Sequence, residues 1–240
     1  MKKIFSLVTG LIVVLLIIIS CKSGNGNAPQ PLTTAPPLAP YGGQFQVNNT
    51  FNDNSLSLSN TINDSTGSAA TILMGAVNVG TVSVNNHPLT FQYNSYFIAT
   101  NIIAPVLGKT TWQVSGGSGF GAFTYTTTKN VPWFGNLHVS LSSFSKSGNL
   151  VITHPLIAAD SIRYTINDNS SNSNMATKVV GNSSTGITFT PAMMASLVLT
   201  NNHATLQITG VVTESSIQGG KNVSFLGSST YNKGSITITN

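Results

Sequence analysis

Charge is what this sequence has least of: of 240 residues, 10 are Lys or Arg and 5 are Asp or Glu, 6% in all, against about a quarter in an ordinary globular chain. The cations from Lys22 through Lys109, Lys129, Lys146, Arg163, Lys178, Lys221 and Lys233 are scattered and form no run. Nucleic-acid binding needs a clustered basic face, so it is excluded as an expectation. Cysteine is almost as scarce, with Cys21 alone, and no disulfide within the chain can support the core. Asn, Ser, Thr and Gly stand where Lys and Glu would normally be. With 40% hydrophobic residues, the composition is not that of a chain kept disordered by charge repulsion. A polar, nearly uncharged surface of this kind suits an exported protein.

The chain opens with Met1-Lys2-Lys3 and then runs apolar from Ile4 to Ile19, interrupted by Ser6, Thr9 and Gly10. This is the cationic and apolar patterning of an export signal, and it falls short of the roughly 20 residues that span a bilayer core as a helix. It ends in Ile18-Ile19-Ser20-Cys21, which resembles the lipobox of bacterial lipoprotein precursors. That resemblance implies diacylglyceryl transfer to the Cys21 thiol, cleavage between Ser20 and Cys21, and acylation of the new amino terminus. Each buried methylene contributes about 0.8 kcal/mol, so two or more acyl chains anchor a protein stably. Cleavage also removes Lys2 and Lys3, leaving eight cations against five anions. By resemblance to the sorting rule of enteric bacteria, Lys22 after the cysteine favours the outer membrane. The segment Lys22–Asn27 lacks the anionic patch that in Bacteroidetes accompanies display on the cell surface, so a periplasm-facing anchor is expected.

Residues 1–20 are thus read as signal peptide and 21–40 as a flexible tether, since the Gly, Asn, Ser and Pro of KSGNGNAPQPLTTAPPLAP cannot bury a core. From Tyr41 the pattern has period two, the mark of half-buried strands. Val82 and Val84 follow a phase slip at Gly80, Asn85-Asn86-His87-Pro88 signals a turn, and Leu89, Phe91 and Tyr93 resume the alternation, which predicts a hairpin. Further strands are predicted at 96–100, 111–115, 122–128, 137–141, 149–153, 161–167, 178–180, 186–190, 204–209, 222–226 and 235–239. One short helix is expected over Pro191–Leu197, with Thr190 as its cap. The number and spacing of strands predict an all-β sandwich architecture. Pro132 and Gly135 flank Trp133 and Phe134 in a break that suggests two β-sandwich lobes, 41–130 and 131–240, each of immunoglobulin-domain size; a single larger sandwich is the alternative. The second half, from SIRYTIND through TGITFTP to VSFLGSSTYNKGSITI, resembles the immunoglobulin-like halves of exported Bacteroidetes-type lipoproteins, a likeness of pattern that brings no active site with it.

Residues arranged for chemistry are few. The acids Asp53, Asp64, Asp160, Asp168 and Glu214 share no short motif. An acid pair for glycoside hydrolysis would have to assemble across strands, and this is the alternative reading of function. His87, His154 and His203 sit beside turn residues and read as exposed loop histidines, while His138 falls on the opposite strand face from Leu137 and Val139. No HExxH, histidine pair or second cysteine offers a zinc site, and no metal or cofactor is expected. Gly116-Gly117-Ser118-Gly119-Phe120-Gly121 matches neither a nucleophile elbow nor a phosphate loop and reads as a flexible loop. Asp168–Asn174 holds a single carboxylate where calcium takes several, and reads as a plain polar loop. Trp133 and Phe134 are candidates for a stacking platform toward a sugar or partner surface, or for the seam between lobes. Asp64-Ser65-Thr66 and Asp160-Ser161-Ile162 resemble O-glycosylation acceptors of exported Bacteroidetes proteins, Ser65 being the better candidate. The leading expectation is a membrane-anchored envelope lipoprotein with a non-enzymatic binding or scaffolding role, its partner a glycan or another envelope protein.

Overall fold

Alternating apolar and polar side chains become strands along most of the chain. The computed structural model describes residues 41–53, 65–73, 78–92, 95–98, 106–134 and 137–240. Among them fourteen strands and one 3-10 turn make an all-β fold. In chain order the strands are β1 (Tyr41–Asp53), β2 (Ser65–Leu73), β3 (Val82–Val84), β4 (His87–Gln92), β5 (Ser95–Ile98), β6 (Thr111–Val114), β7 (Phe123–Thr126), β8 (Ser143–Ser145), β9 (Leu150–Ile157), β10 (Ser161–Asn167), β11 (Met175–Gly181), β12 (Ser184–Phe189), β13 (Thr200–Gln218) and β14 (Lys221–Thr239). Strand β10 shows the cause plainly: Ile162, Tyr164 and Ile166 are buried while Arg163 between them is exposed. The predicted hairpin forms as β3–β4, with Val82, Val84 and Leu89 inward. Its turn residues Asn85 and Asn86 take φ of 47° and 66°, the left-handed pair that a tight hairpin of this hand requires.

Twelve strands join in one sheet ordered β11-β10-β13-β14-β1-β2-β5-β4-β3-β6-β7, with β8 on the end of β14, and β9 and β12 form a separate pair. The frame is the β13–β14 hairpin, whose two 19-residue strands pass both hydrophobic cores, with β1 alongside β14 in parallel. Their registers set five rows of side chains on one face: Phe45–Phe225–Glu214, Val47–Gly227–Val212, Asn49–Ser229–Gly210, Phe51–Tyr231–Ile208 and Asp53–Lys233–Leu206. Phe45, Val47 and Phe225 enter a core built around Trp112. Phe51, Tyr231 and Ile208 enter a second, built around Tyr164. The middle row is small or polar and fully buried.

Close approach by a strap of chain explains that middle row. A Cβ on Gly227 would meet Val131 Cγ2 at 3.1 Å, and one on Gly210 would meet Phe134 Cζ and Pro132 Cβ at 3.2 Å. Ser229 Oγ donates to the Pro132 carbonyl at 2.6 Å and accepts from Asn49 Nδ2 at 3.2 Å. Asn49 in turn holds both the carbonyl and the amide of Val106, at 2.9 and 3.1 Å. The break expected near Asn130 is therefore a crossing between cores, with Val131 in the Trp112 core and Phe134 in the Tyr164 core. The two cores divide the chain differently from lobes at 41–130 and 131–240, since β1 pairs with β14 along its length and the described residues fall in one compact unit.

The Trp112 core is enclosed by the sheet rolling on itself. Tyr125 of β7 stacks on Phe225 of β14 at 4.4 Å although seven places separate the two strands in the sheet order. Trp112 packs edge-on against Phe45 at 5.1 Å. The glycine run 116–121, expected to be flexible, is a tight hairpin closed by reciprocal Gly117–Phe120 bonds of 2.9 Å, with Phe120 buried and the Gly121 amide donating to Gly219 O at the β13–β14 turn. On the other side the β9–β12 pair covers β10, β13 and β14, so that Ile152, Phe189, Ile162 and Leu206 share the Tyr164 core.

Three further expectations are corrected. Residues 137–141 lie along the sheet face without forming a strand. The predicted strands 222–226 and 235–239 are the two ends of β14, which runs unbroken between them with Gly227 and Ser229 serving the strap crossing. The expected helix is a 3-10 turn, Pro191–Met194, without a side-chain cap from Thr190; the Thr190 carbonyl accepts the Met193 and Met194 amides instead.

Candidate functional site

Ser20 and Cys21, the cleavage and lipidation positions, lie outside the described residues, as do Asp64 and Tyr93. Ser65, expected in a loop, opens strand β2, and its side chain also lies outside the described set. No helix among the described residues is long and apolar enough to cross a membrane.

The four described carboxylates are each committed to holding the fold. Asp168 is buried, and its oxygens accept the Ser170 amide at 2.9 Å, the Val198 amide at 2.9 Å and Asn174 Nδ2 at 3.1 Å. Burial works against its charge, but the donors, led by the Val198 amide, outweigh it and bring the carboxyl down to about 2. With hydrogen-bond donors on both oxygens this loop is arranged around a carboxylate, not around a cation. Glu214 gathers the Tyr125 hydroxyl at 2.9 Å, the Thr128 hydroxyl at 2.7 Å, and the Thr128 and Lys129 amides. Burial opposes ionisation here too, and the donors, led by Thr128, hold Glu214 below its ordinary value. Asp160 pairs with Lys129 Nζ at 2.6 Å and accepts the Thr213 amide at 2.8 Å; these outweigh its burial and lower its pKa as well.

The histidines separate. His87 and His203 are exposed, as expected. His154 is not: it sits within β9, 8% exposed, because its position in the alternation turns it toward β10. Its Nδ1 lies 2.7 Å from the Pro155 carbonyl and its Nε2 2.6 Å from Tyr164 Oη. A carbonyl can only accept, so Nδ1 carries the proton and Nε2 takes the tyrosine hydroxyl.

Among the described residues, His138 belongs to the one place where an acid and a histidine meet. Asp53, at the end of β1, turns Oδ2 toward Tyr231 Oη at 2.7 Å, Lys233 Nζ at 3.2 Å and His138 Nδ1 at 3.4 Å. The Asp53 and Lys233 side chains are each 7% exposed, His138 66%. Tyr231 Oη also accepts the Val139 amide at 3.1 Å, which fastens the strap to the sheet. Burial, reinforced by the bond to Asp53, pushes the Tyr231 hydroxyl far above the usual tyrosine range, so it stays a donor. The strap that begins at Val131 thus ends over this cluster. The alternation places His138 on the face opposite Leu137 and Val139, and no short spacing in the sequence pairs it with Asp53.

Trp133 stands on the same strap, 44% exposed, its ring set edge-to-face against Phe51 at 5.5 Å and 89°. Phe134, proposed with it as a platform, is fully buried in the Tyr164 core, since successive residues of an extended strap face opposite ways. The site therefore has the exposed ring of Trp133 against Phe51, which lies two positions along β1 from Asp53 of the acid–lysine–tyrosine cluster that exposed His138 roofs. Such a surface can stack on an apolar face and exchange hydrogen bonds with polar groups. Among the described residues no three His, Cys, Asp or Glu side chains gather as metal ligands. Compared with models of known protein families and with curated proteins, the chain matches none.

Proposed function

We propose that this chain is a cell-envelope lipoprotein, held through lipid on Cys21 at the periplasmic face of the outer membrane, whose folded part binds or scaffolds and does not catalyse. Its partner is a glycan or another envelope protein. The observation that carries the non-catalytic reading is the condition of the four described carboxyls. Glycoside hydrolysis needs one carboxyl that keeps its proton near neutral pH beside one that does not. Asp160, Asp168 and Glu214 are all held below their ordinary values, and Asp53 is engaged by Tyr231 and Lys233. The contact surface we assign is the strap, where Trp133 offers a large apolar face on rigid support and His138 a polar edge. The finer description of the fold, an immunoglobulin-like sandwich, belongs to the same proposal and rests on β9–β12 facing β10, β13 and β14 across the Tyr164 core.

The test is to screen a soluble fragment, residues 39–240, against a glycan array and against envelope extracts, with Trp133→Ala in parallel. The proposal expects a partner whose binding falls about tenfold or more in the variant, a loss of roughly 1.4 kcal/mol. Retained binding of every partner in Trp133→Ala overturns the strap as contact surface.

A further inference from the structure

The outer face of the rolled sheet, turned away from the Trp112 core, carries a feature independent of the strap. Registers across β4, β3, β6 and β7 set Pro88, Ser83, Gln113 and Thr124 in one row, and this row floors an open groove of about 330 Å³. Thr81 and Ser115 line the groove beside it, joined by a 2.8 Å bond from the Thr81 amide to Ser115 Oγ. No residue of the lining is charged, and exposed Pro88 supplies its apolar edge, while Phe123 turns its ring to Phe45 and Phe225 in the Trp112 core on the other face.

The polar groups have capacity left. Ser83 Oγ donates to Gln113 Oε1 at 3.0 Å, which fixes the amide so that its two Nε2 protons have no acceptor among the described residues. Ser115 Oγ accepts from the Thr81 amide, leaving its own proton to give, and the Thr124 hydroxyl is exposed. Donors and acceptors from neighbouring strands repeat at about 4.8 Å across a sheet, close to the pitch at which sugar rings succeed one another in an extended glycan. An ionic ligand would find no counter-charge here, and a wholly apolar one would strip the hydroxyls of water without replacing their bonds.

Resting on the reading of this chain as a binding protein, we infer that the groove takes a neutral, extended oligosaccharide, laid across β3, β6 and β7 with hydroxyls on Ser83, Gln113 and Thr124 and an apolar ring face against Pro88. This site is separate from the strap and does not use Trp133.

The test is calorimetric titration of the full chain, purified in mild detergent, with cellohexaose, chitohexaose and laminarihexaose as neutral probes and a galacturonate hexamer as the anionic one. At least one neutral probe is expected to bind with a dissociation constant below the millimolar range. Gln113→Ala and Thr124→Ala, both at exposed positions, are expected to weaken it about tenfold with the thermal midpoint unchanged, while Trp133→Ala leaves it as in the parent. Absence of binding by every neutral probe, indifference to both groove variants, or equal binding of the galacturonate hexamer would each overturn the inference. Loss in Trp133→Ala alone would move the glycan to the strap, overturning the groove while supporting the function proposed above.

Discussion

Replacing Phe134 by Ala in the strap should unfold the Trp112 core as readily as the Tyr164 core that Phe134 occupies. Phe134 is fully buried, lies against Phe51 with ring centroids 6.2 Å apart and covers the bare backbone of Gly210. Truncating a buried Phe to Ala costs about 3–5 kcal/mol, the transfer of the ring plus the cavity it leaves. Strands β13 and β14 run through both cores and the Asn49–Ser229–Gly210 row binds them at the waist, so the loss should be felt by the whole unit. The chain has two tryptophans, one buried among the residues of the Trp112 core and one on the strap. In a Trp133→Phe background, fluorescence reports only on Trp112. With a urea m-value of about 2 kcal/mol/M, Phe134→Ala should lower the Trp112 midpoint by roughly 1.5–2.5 M. A midpoint that stays in place while circular dichroism shows a separate early transition would refute the shared frame and restore two independent lobes.

Asp53→Ala strands the Lys233 ammonium, whose side chain is 7% exposed, and deprives Tyr231 of its acceptor. Removing one partner of a buried pair costs about 3–5 kcal/mol, whereas replacing both by apolar residues is often neutral. Thermal melts should show a large loss for Asp53→Ala that Lys233→Met added to it largely restores; a single-variant loss below about 1 kcal/mol would contradict the burial of the pair. The Asp168 carboxyl, at about 2 in the fold, lies below its unfolded value near 4. Its stabilisation of about 2 kcal/mol is fully present above pH 4 and is lost as pH falls through 2. Urea midpoints measured from pH 5 to pH 2 should fall, and less steeply in Asp168→Asn; equal slopes would remove Asp168 from the account.

What could be read from sequence was local. The β3–β4 hairpin and β10 follow from alternation and turn residues a few positions apart, and the all-β class follows from their sum. The pattern predicts separate strands at 222–226 and 235–239 where β14 is continuous, because the role of Gly227 and Ser229, letting Val131 and Pro132 pass close by, depends on chain about 100 residues away. The glycine run misled in the same way: its glycines make a hairpin pressed against the Gly219 backbone. His154 read as exposed because Pro155 follows it, yet β9 carries both and the strand phase turns the imidazole inward. The Asp53 cluster was out of reach altogether, since Tyr231 lies 178 positions from Asp53 and no spacing rule joins them. Trp133 and Phe134 could be named from their flanking Pro and Gly, but which of the two was exposed required the course of the strap.

The proposed lipid on Cys21 is the central claim, because an anchor there would set where the strap and groove act. Metabolic labelling with a radioactive fatty acid, followed by membrane fractionation of the parent and Cys21→Ala chains, tests it directly. The account predicts label on the parent chain, none on the variant, and loss of the variant from the membrane fraction; an unlabelled parent, or a Cys21→Ala chain that still fractionates with membranes, would contradict it.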